Sequence, residues 1–134
     1  MTLSGKGFRE AEICITAELQ RLPEIRSFAD TCANAYGFDD QVRYQIKMAA
    51  SEAVANAVEH GSNGPSDKVR VRAVNEGGLL AFYVSDSGSF VPRIAPRGAL
   101  PERGRGLAFL GQLMDEVDIR PGPTGTTLRF AKRL

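Results

Sequence analysis

The stretch from Ala50 to Gly61, reading AASEAVANAVEHG with the alanine before it, constrains this chain more than any other. As a helix it stacks Glu52, Asn56 and His60 on one face. Steps of four drift that line by only about 40° each at ~3.6 residues per turn. The neighbouring stripe of Ile46, Ala49, Ala53 and Ala57 is the side such a helix buries. An acid and an amide at the rim of a buried stripe are costly unless something pairs with them. A hydrated divalent cation beside a phosphate would do so, because Mg²⁺ takes hard oxygen ligands and keeps several of its waters. The same residues would also serve as a solvated helix face, so this segment alone leaves both readings open.

The rest of the composition narrows the setting. A chain of 134 residues is expected to form a single domain spanning 1–134, long enough to bury a substantial core. Hydrophobic residues at 43% and charged ones at 25% are ordinary for a globular protein. A net charge of +1 gives no electrostatic footprint for direct nucleic-acid binding or for an anionic membrane. No apolar run approaches the ~20 residues needed to span a bilayer, and the N-terminus lacks a signal-peptide pattern, so a cytoplasmic location is expected. Cys14 and Cys32 show no metal-ligand or redox spacing, and both are expected to be reduced thiols at small core positions.

Along the chain, Ala11, Ile13, Ile15 and Ala17 alternate with Glu10, Glu12, Cys14 and Thr16, which predicts a half-buried strand over 8–17. Pro23 suits the first turn of a helix in which Ile25, Phe28, Ala29, Cys32 and Ala35 recur up to Gly37. Asp39 or Asp40 is placed to cap a longer helix carrying Val42, Ile46, Ala49, Ala53 and Ala57 and ending near Gly61. After a turn at SNGPSD, Val69, Val71 and Ala73 alternate with Lys68, Arg70 and Arg72, and a tight connection at 75–78 leads into a partner strand over 79–84. Residues 85–103 carry prolines and glycines without apolar period and read as a loop long enough to be functional. Gly104-Arg105-Gly106 then opens a helix with Leu107, Leu110, Leu113 and Met114 on its inner face. A short strand over 117–120, a turn over 121–125 and a last strand over 126–131 follow. The order β-α-α-β-β-loop-α-β-β predicts an α/β fold, a two-layer sandwich with a mixed, largely antiparallel sheet and helices on one face.

Three further stretches carry chemistry. Asp86-Ser87-Gly88 closes an apolar strand. A buried carboxylate there accepts from an exocyclic amine such as adenine's, while Gly88 lets a flat ring approach the backbone; it is also an ordinary turn sequence. Gly104-Arg105-Gly106 leaves helix N-terminal amides pointing outward with a favourable dipole, a natural phosphate seat, and Arg105 adds a charged fork. Gly125-Thr126-Thr127 before the final strand reads, taken alone, as packing or surface.

In this order and spacing the four stretches resemble the Bergerat-fold (GHKL) ATP-binding domain shared by gyrase, heat-shock chaperone, histidine kinase and mismatch-repair ATPases. They resemble most closely the anti-sigma factor serine/threonine kinases. Residues 51–61 look like the N box, Asp86-Ser87-Gly88 the first glycine box, 103–107 continuing to 113–117 the second, and 125–130 the third. The resemblance implies that Asn56 coordinates Mg²⁺ on the phosphates of ATP and that Glu52 is general base toward a protein serine or threonine. It further implies that Asp86 binds the adenine amine with Gly88 beneath the ring and Thr126 close by, and that Gly104 and Gly106 lend amides to the phosphates. The implied partners are a sigma factor and an anti-anti-sigma (STAS-type) antagonist, with a homodimer as the assembly. Two departures fall on the lid. Ser89-Phe90-Val91-Pro92 stands where the family often has a further glycine, and the loop to Arg103 lacks lysine but offers Arg93, Arg97 and Arg103. A non-catalytic ATP-binding switch, or a kinase in a cascade without a sigma factor, would use the same motifs. No phosphoacceptor helix or sensor segment precedes them, which makes a histidine kinase fragment the poorer expectation.

Overall fold

Strict alternation and helical spacing resolve into five strands and three helices in the computed structural model, which describes residues 9–61, 64, 66–86, 102–122 and 125–134. The elements are β1 (Glu10–Thr16), α1 (Leu22–Tyr36) after a 3-10 turn, α2 (Asp40–Asn56) continued by a π-helical turn (Ala57–Gly61), β2 (Lys68–Asn75), β3 (Leu79–Asp86), α3 (Glu102–Leu113), β4 (Glu116–Gly122) and β5 (Gly125–Arg133). Local chemistry sets several of these ends. Pro23 lies in the first turn of α1, and Gly37, at φ 107°, closes it by donating to the carbonyls of Ala33 and Asn34. Asp39 caps α2 by accepting from the Val42 amide at 2.9 Å. Between β2 and β3, Gly77 and Gly78 take φ of 63° and 83°, where an added Cβ would meet nothing; the backbone conformation, not space, asks for glycine there.

The strands run β1-β2-β3-β5-β4, and every neighbouring pair is antiparallel. The expected mixed sheet is therefore corrected to a wholly antiparallel one. β3 and β4, joined through α3, do point the same way, but β5 inserts between them, so the parallel pair never touches.

Ile15, Val69, Val71, Leu80, Phe82 and Phe130 line the helix side of the sheet, with Phe82 stacked on its cross-strand partner Phe130 at 5.4 Å. Against them α1 buries Ile25, Phe28, Ala29 and Cys32, together with Ala33 and Tyr36, which apolar spacing alone had not singled out. α2 buries Ile46, Ala49, Ala50, Ala53 and Val54 and packs against both α1 and α3. Small side chains on that stripe let the helix lie close to its neighbours. Cys32 fits the expectation, and burial pushes its thiol up to about 12. Cys14 does not: it is exposed, on the same side of β1 as Glu10 and Glu12.

That opposite side of the sheet is covered by charge. One register row crosses all five strands as Glu12, Arg72, Tyr83, Arg129 and Asp118. Arg129, only 7% exposed, donates to Glu76 at 2.6 Å, Glu116 at 2.9 Å and Asp118 at 3.4 Å. Its guanidinium, with those of Arg72 and Arg120, lies 5.5–5.9 Å from the Tyr83 ring centre.

These pairs make folding sensitive to acid. Hydrogen bonds from Arg43 and Arg120 hold Asp30 and Asp118 below the usual carboxylate range. Burial pushes Glu76 up, but bonds from Arg129 and Tyr83 outweigh it and the net displacement is downward. A carboxylate depressed on folding stabilises the native state fully above its unfolded value, and that stability is lost as pH falls through the folded value. The denaturation midpoint should therefore stay level near neutrality and decline below the ordinary values of 4.5 for Glu76 and 3.8 for the aspartates. Urea titrations across that range should show a shallower decline in Arg43→Met and Arg129→Met. Among the described residues no helix is long and apolar enough to cross a membrane.

Candidate functional site

The Asp39 cap and the buried alanine stripe fix how α2 is turned, and this leaves Glu52 and Asn56 half-buried one turn apart on the same face. From Ala57 the chain winds as a π turn with wider i→i+5 bonding, and of His60, the next residue on the expected line, only the backbone course is described. Ser51, next to Glu52, is tied to α1, its hydroxyl accepting from Arg26 Nη1 at 3.2 Å. On the same pair of helices Arg43 clasps Asp30 through two bonds of 3.0 and 3.1 Å, which holds α1 and α2 together.

The π turn packs against β3, the strand that ends on Asp86. Asp86 is 8% exposed and falls on the helix side of the sheet, continuing the inward set of Leu80, Phe82 and Val84. Ser85 pairs in register with Thr127, so Thr126 is the next residue along β5, on the strand beside Asp86. α3 starts at Glu102, two residues before the expected opening glycine. Gly104 thus lies in the first turn, where backbone amides have no partner within the helix, whereas Gly106 falls where intrahelical bonding begins. α3 in turn packs against α2. Glu52, Asn56, Asp86 and the start of α3 therefore occupy elements in mutual contact through α2 and its π turn. Gly88, Ser89, Phe90, Val91, Pro92, Arg93 and Arg97 lie outside the described residues, and for Arg103, Arg105 and Thr126 only the backbone course is described.

Residues 15–132 match the family described as the histidine kinase-like ATPase domain. The chain belongs to this family.

Within the histidine kinase-like ATPases it is similar to the anti-sigma factors. The anti-sigma F factor of Anoxybacillus flavithermus is 32% identical over a match covering 67% of this chain and 68% of that protein. Among solved structures, the RsbU and RsbW domains of a Mycobacterium tuberculosis protein superpose with a TM-score of 0.72 at 27% identity, over 95% of this chain and 33% of that one. A histidine kinase domain from Erythrobacter litoralis, a blue-light activated kinase, shares the fold at a TM-score of 0.58 and 22% identity, over 90% of this chain and 62% of that one. The resemblance to the anti-sigma factor kinases and the α/β architecture expected from it thus hold, with the sheet antiparallel throughout.

Two features of this ATPase domain escaped the sequence. The Arg26–Ser51 bond joins residues on different helices, and nothing in their spacing announces it. Lys132 breaks the apolar pattern of β5 on its inner side, and that break is its signal in the sequence.

Proposed function

We propose that this histidine kinase-like ATPase domain is a cytoplasmic anti-sigma factor with serine/threonine kinase activity. It would hold a sigma factor inactive and phosphorylate a serine or threonine on an anti-anti-sigma (STAS-type) antagonist. The observation that carries the proposal is the pair Glu52 and Asn56, half-buried a turn apart on α2, whose π-helical end packs on the strand closing with the buried carboxylate of Asp86. The anti-sigma F factor relatives support the partners.

The donor set suits a magnesium nucleotide. Asp86 is an acceptor in a dry position, as an adenine amine requires, and the Asn56 amide oxygen is a hard ligand. Among the described residues no three acidic, histidine or cysteine groups converge to hold a metal by themselves. Mg²⁺ would rest on phosphate and water with Asn56 as its protein ligand, the way Mg²⁺ is commonly held with substrate phosphates. The bound nucleotide supplies the phosphoryl group. Asp86 would select the base, with Gly88 beneath the ring and Thr126 beside it. The open amide of Gly104 and the Arg105 side chain would neutralise phosphate charge, with Gly106 following one step into the helix, and Glu52 would take the proton from the incoming hydroxyl. Phosphoryl transfer asks mainly for positioning and charge neutralisation, which these roles provide. The modified antagonist gains about −1.5 to −2 charges, enough to expel it from an interface.

The test is calorimetry with Mg-ATP followed by phosphorylation of an antagonist recovered from native cytoplasm by pull-down with and without ATP. Absence of nucleotide binding by the folded chain would end the proposal. Binding without transfer to any recovered partner would favour a non-catalytic switch.

Partner contacts are proposed on α1 and the lid. Arg26 is a half-buried cation on α1 bonded to the residue beside Glu52, so it joins the helix surface to the site. Arg26→Glu should weaken sigma-factor and antagonist binding by tenfold or more in a competition assay, with the thermal midpoint little changed. Unaltered affinity for both would remove Arg26 from the interface. A homodimer is proposed from the same resemblance, and light scattering at working concentration tests it.

A further inference from the structure

β5 places one residue against type. Leu128 and Phe130 face the helices, and the two-residue period carries Lys132 to that same side, paired in register with Leu80. There its ammonium donates to the main-chain carbonyl of Leu113, the last residue of α3, at 2.7 Å. That carbonyl is among the four a helix leaves open at its C-terminal end, where the dipole also favours a cation. Two more bonds fasten the segment just beyond α3 to β5. The Asp115 amide donates to the Ala131 carbonyl at 2.9 Å, and the Asp115 carboxylate accepts from the Arg133 amide at 2.6 Å.

The body of α3 is weakly disposed to be helical. Gly104, Gly106 and Gly111 stand among its twelve residues. In a helix interior, glycine in place of alanine lowers the folding equilibrium roughly three- to fivefold. Among the side chains described here, Leu110 and, just past the helix, Met114 are buried, and Leu113 is partly so. A Cβ built on Gly111 meets nothing within 4 Å, so neither packing nor backbone conformation demands glycine there.

We propose that Lys132 is a positioning residue: by holding the C-terminal end of α3 to β5 it keeps formed a helix that its own sequence scarcely sustains. It thereby sets the position of the opposite end, around Gly104. The inference rests on the proposed function, which assigns the amides there to nucleotide phosphates. Single elements open locally at less cost than the whole fold, and affinity scales with the fraction of molecules in which the binding conformation is formed. Loosening one end of α3 is therefore felt at the other.

Lys132→Met keeps the aliphatic stem and removes the ammonium. Hydrogen exchange in nucleotide-free protein should then speed up about tenfold at Leu110, Leu113 and Met114, with the amides of β2 and β3 unchanged. Calorimetry should show Mg-ATP affinity falling several-fold. Adding Gly111→Ala to the same chain should reverse both losses in part, leaving exchange about two- to threefold faster than in the unmodified protein, and Gly111→Ala alone should slow exchange in α3 by roughly three- to fivefold. Exchange in α3 unaffected by Lys132→Met, or sheet amides accelerated as much as those of α3, would overturn the positioning role. Faster α3 exchange with unaltered affinity would overturn its link to the nucleotide. If the unmodified chain binds no nucleotide, the proposed function fails and the link with it, while exchange still decides whether Lys132 holds α3.

Discussion

Glu52→Gln is expected to leave Mg-ATP affinity and sigma-factor binding near those of the unmodified protein while phosphorylation of the antagonist falls by about 10²–10⁴, the usual contribution of one general base. The expectation follows from where Glu52 sits. It is half-buried on α2 one turn before Asn56, so the two side chains share a face with Cβ atoms about 5–6 Å apart. A carboxylate bound directly to a metal would be a poor base. In the proposed function, an amide at Asn56 for the metal and an acid at Glu52 for the proton would divide the work. Glutamine keeps the size and hydrogen-bonding reach of the side chain and removes only its basicity. Asn56→Ala should behave differently, losing metal-dependent nucleotide binding and every step that needs it. Radiolabelled transfer at saturating nucleotide, set beside calorimetric affinities, separates the two. Transfer by Glu52→Gln at the unmodified rate would mean that another group takes the proton.

How much of this was legible beforehand depends on the range of the interaction. The strands were readable because burial alternates along β1 and β2 as the residues do, from Ala11 to Ile15 and from Val69 to Ala73. The Asp39 cap and the Gly37 stop are local chemistry and lie where the spacing predicts. Sheet order was not local. Whether β3 touches β4 depends on where β5 lands, and β5 comes last in the chain, so nothing near β3 records it. The π turn was hidden because residues 57–61 carry no feature that sets i→i+5 winding apart from i→i+4. In the candidate site, the residues of α2 and Asp86 could be singled out in advance because each breaks a local apolar pattern. α3 starts two residues before the glycine expected to open it because Glu102 already begins the first turn. Arg129 illustrates the opposite case. A basic residue on an outward strand position looks merely solvated, yet acidic side chains from three separate positions converge to bury it.

The same contrast between pattern and environment makes Asp86→Asn the sharper probe of what binds. Asp86 is 8% exposed at the end of β3, and asparagine keeps its shape while giving up its charge. The thermal midpoint of the nucleotide-free protein, measured for both chains, separates a binding defect from a folding one. For the nucleotide the effect is direct. A carboxylate only accepts hydrogen bonds, matching the exocyclic amine of adenine, whereas the amide can turn an N–H toward that donor and lose the charge-assisted bond. Affinity for Mg-ATP should fall by about 1–3 kcal/mol, roughly 5- to 150-fold. Guanine presents a carbonyl where adenine presents its amine, so the proposed contact would disfavour GTP, and the amide should tolerate it. The ratio of ATP to GTP affinity should accordingly narrow in Asp86→Asn, and competition calorimetry with the two nucleotides measures it. An unchanged ratio, with ATP bound as tightly as before, would mean that Asp86 does not meet the base and that the nucleotide lies elsewhere on the domain.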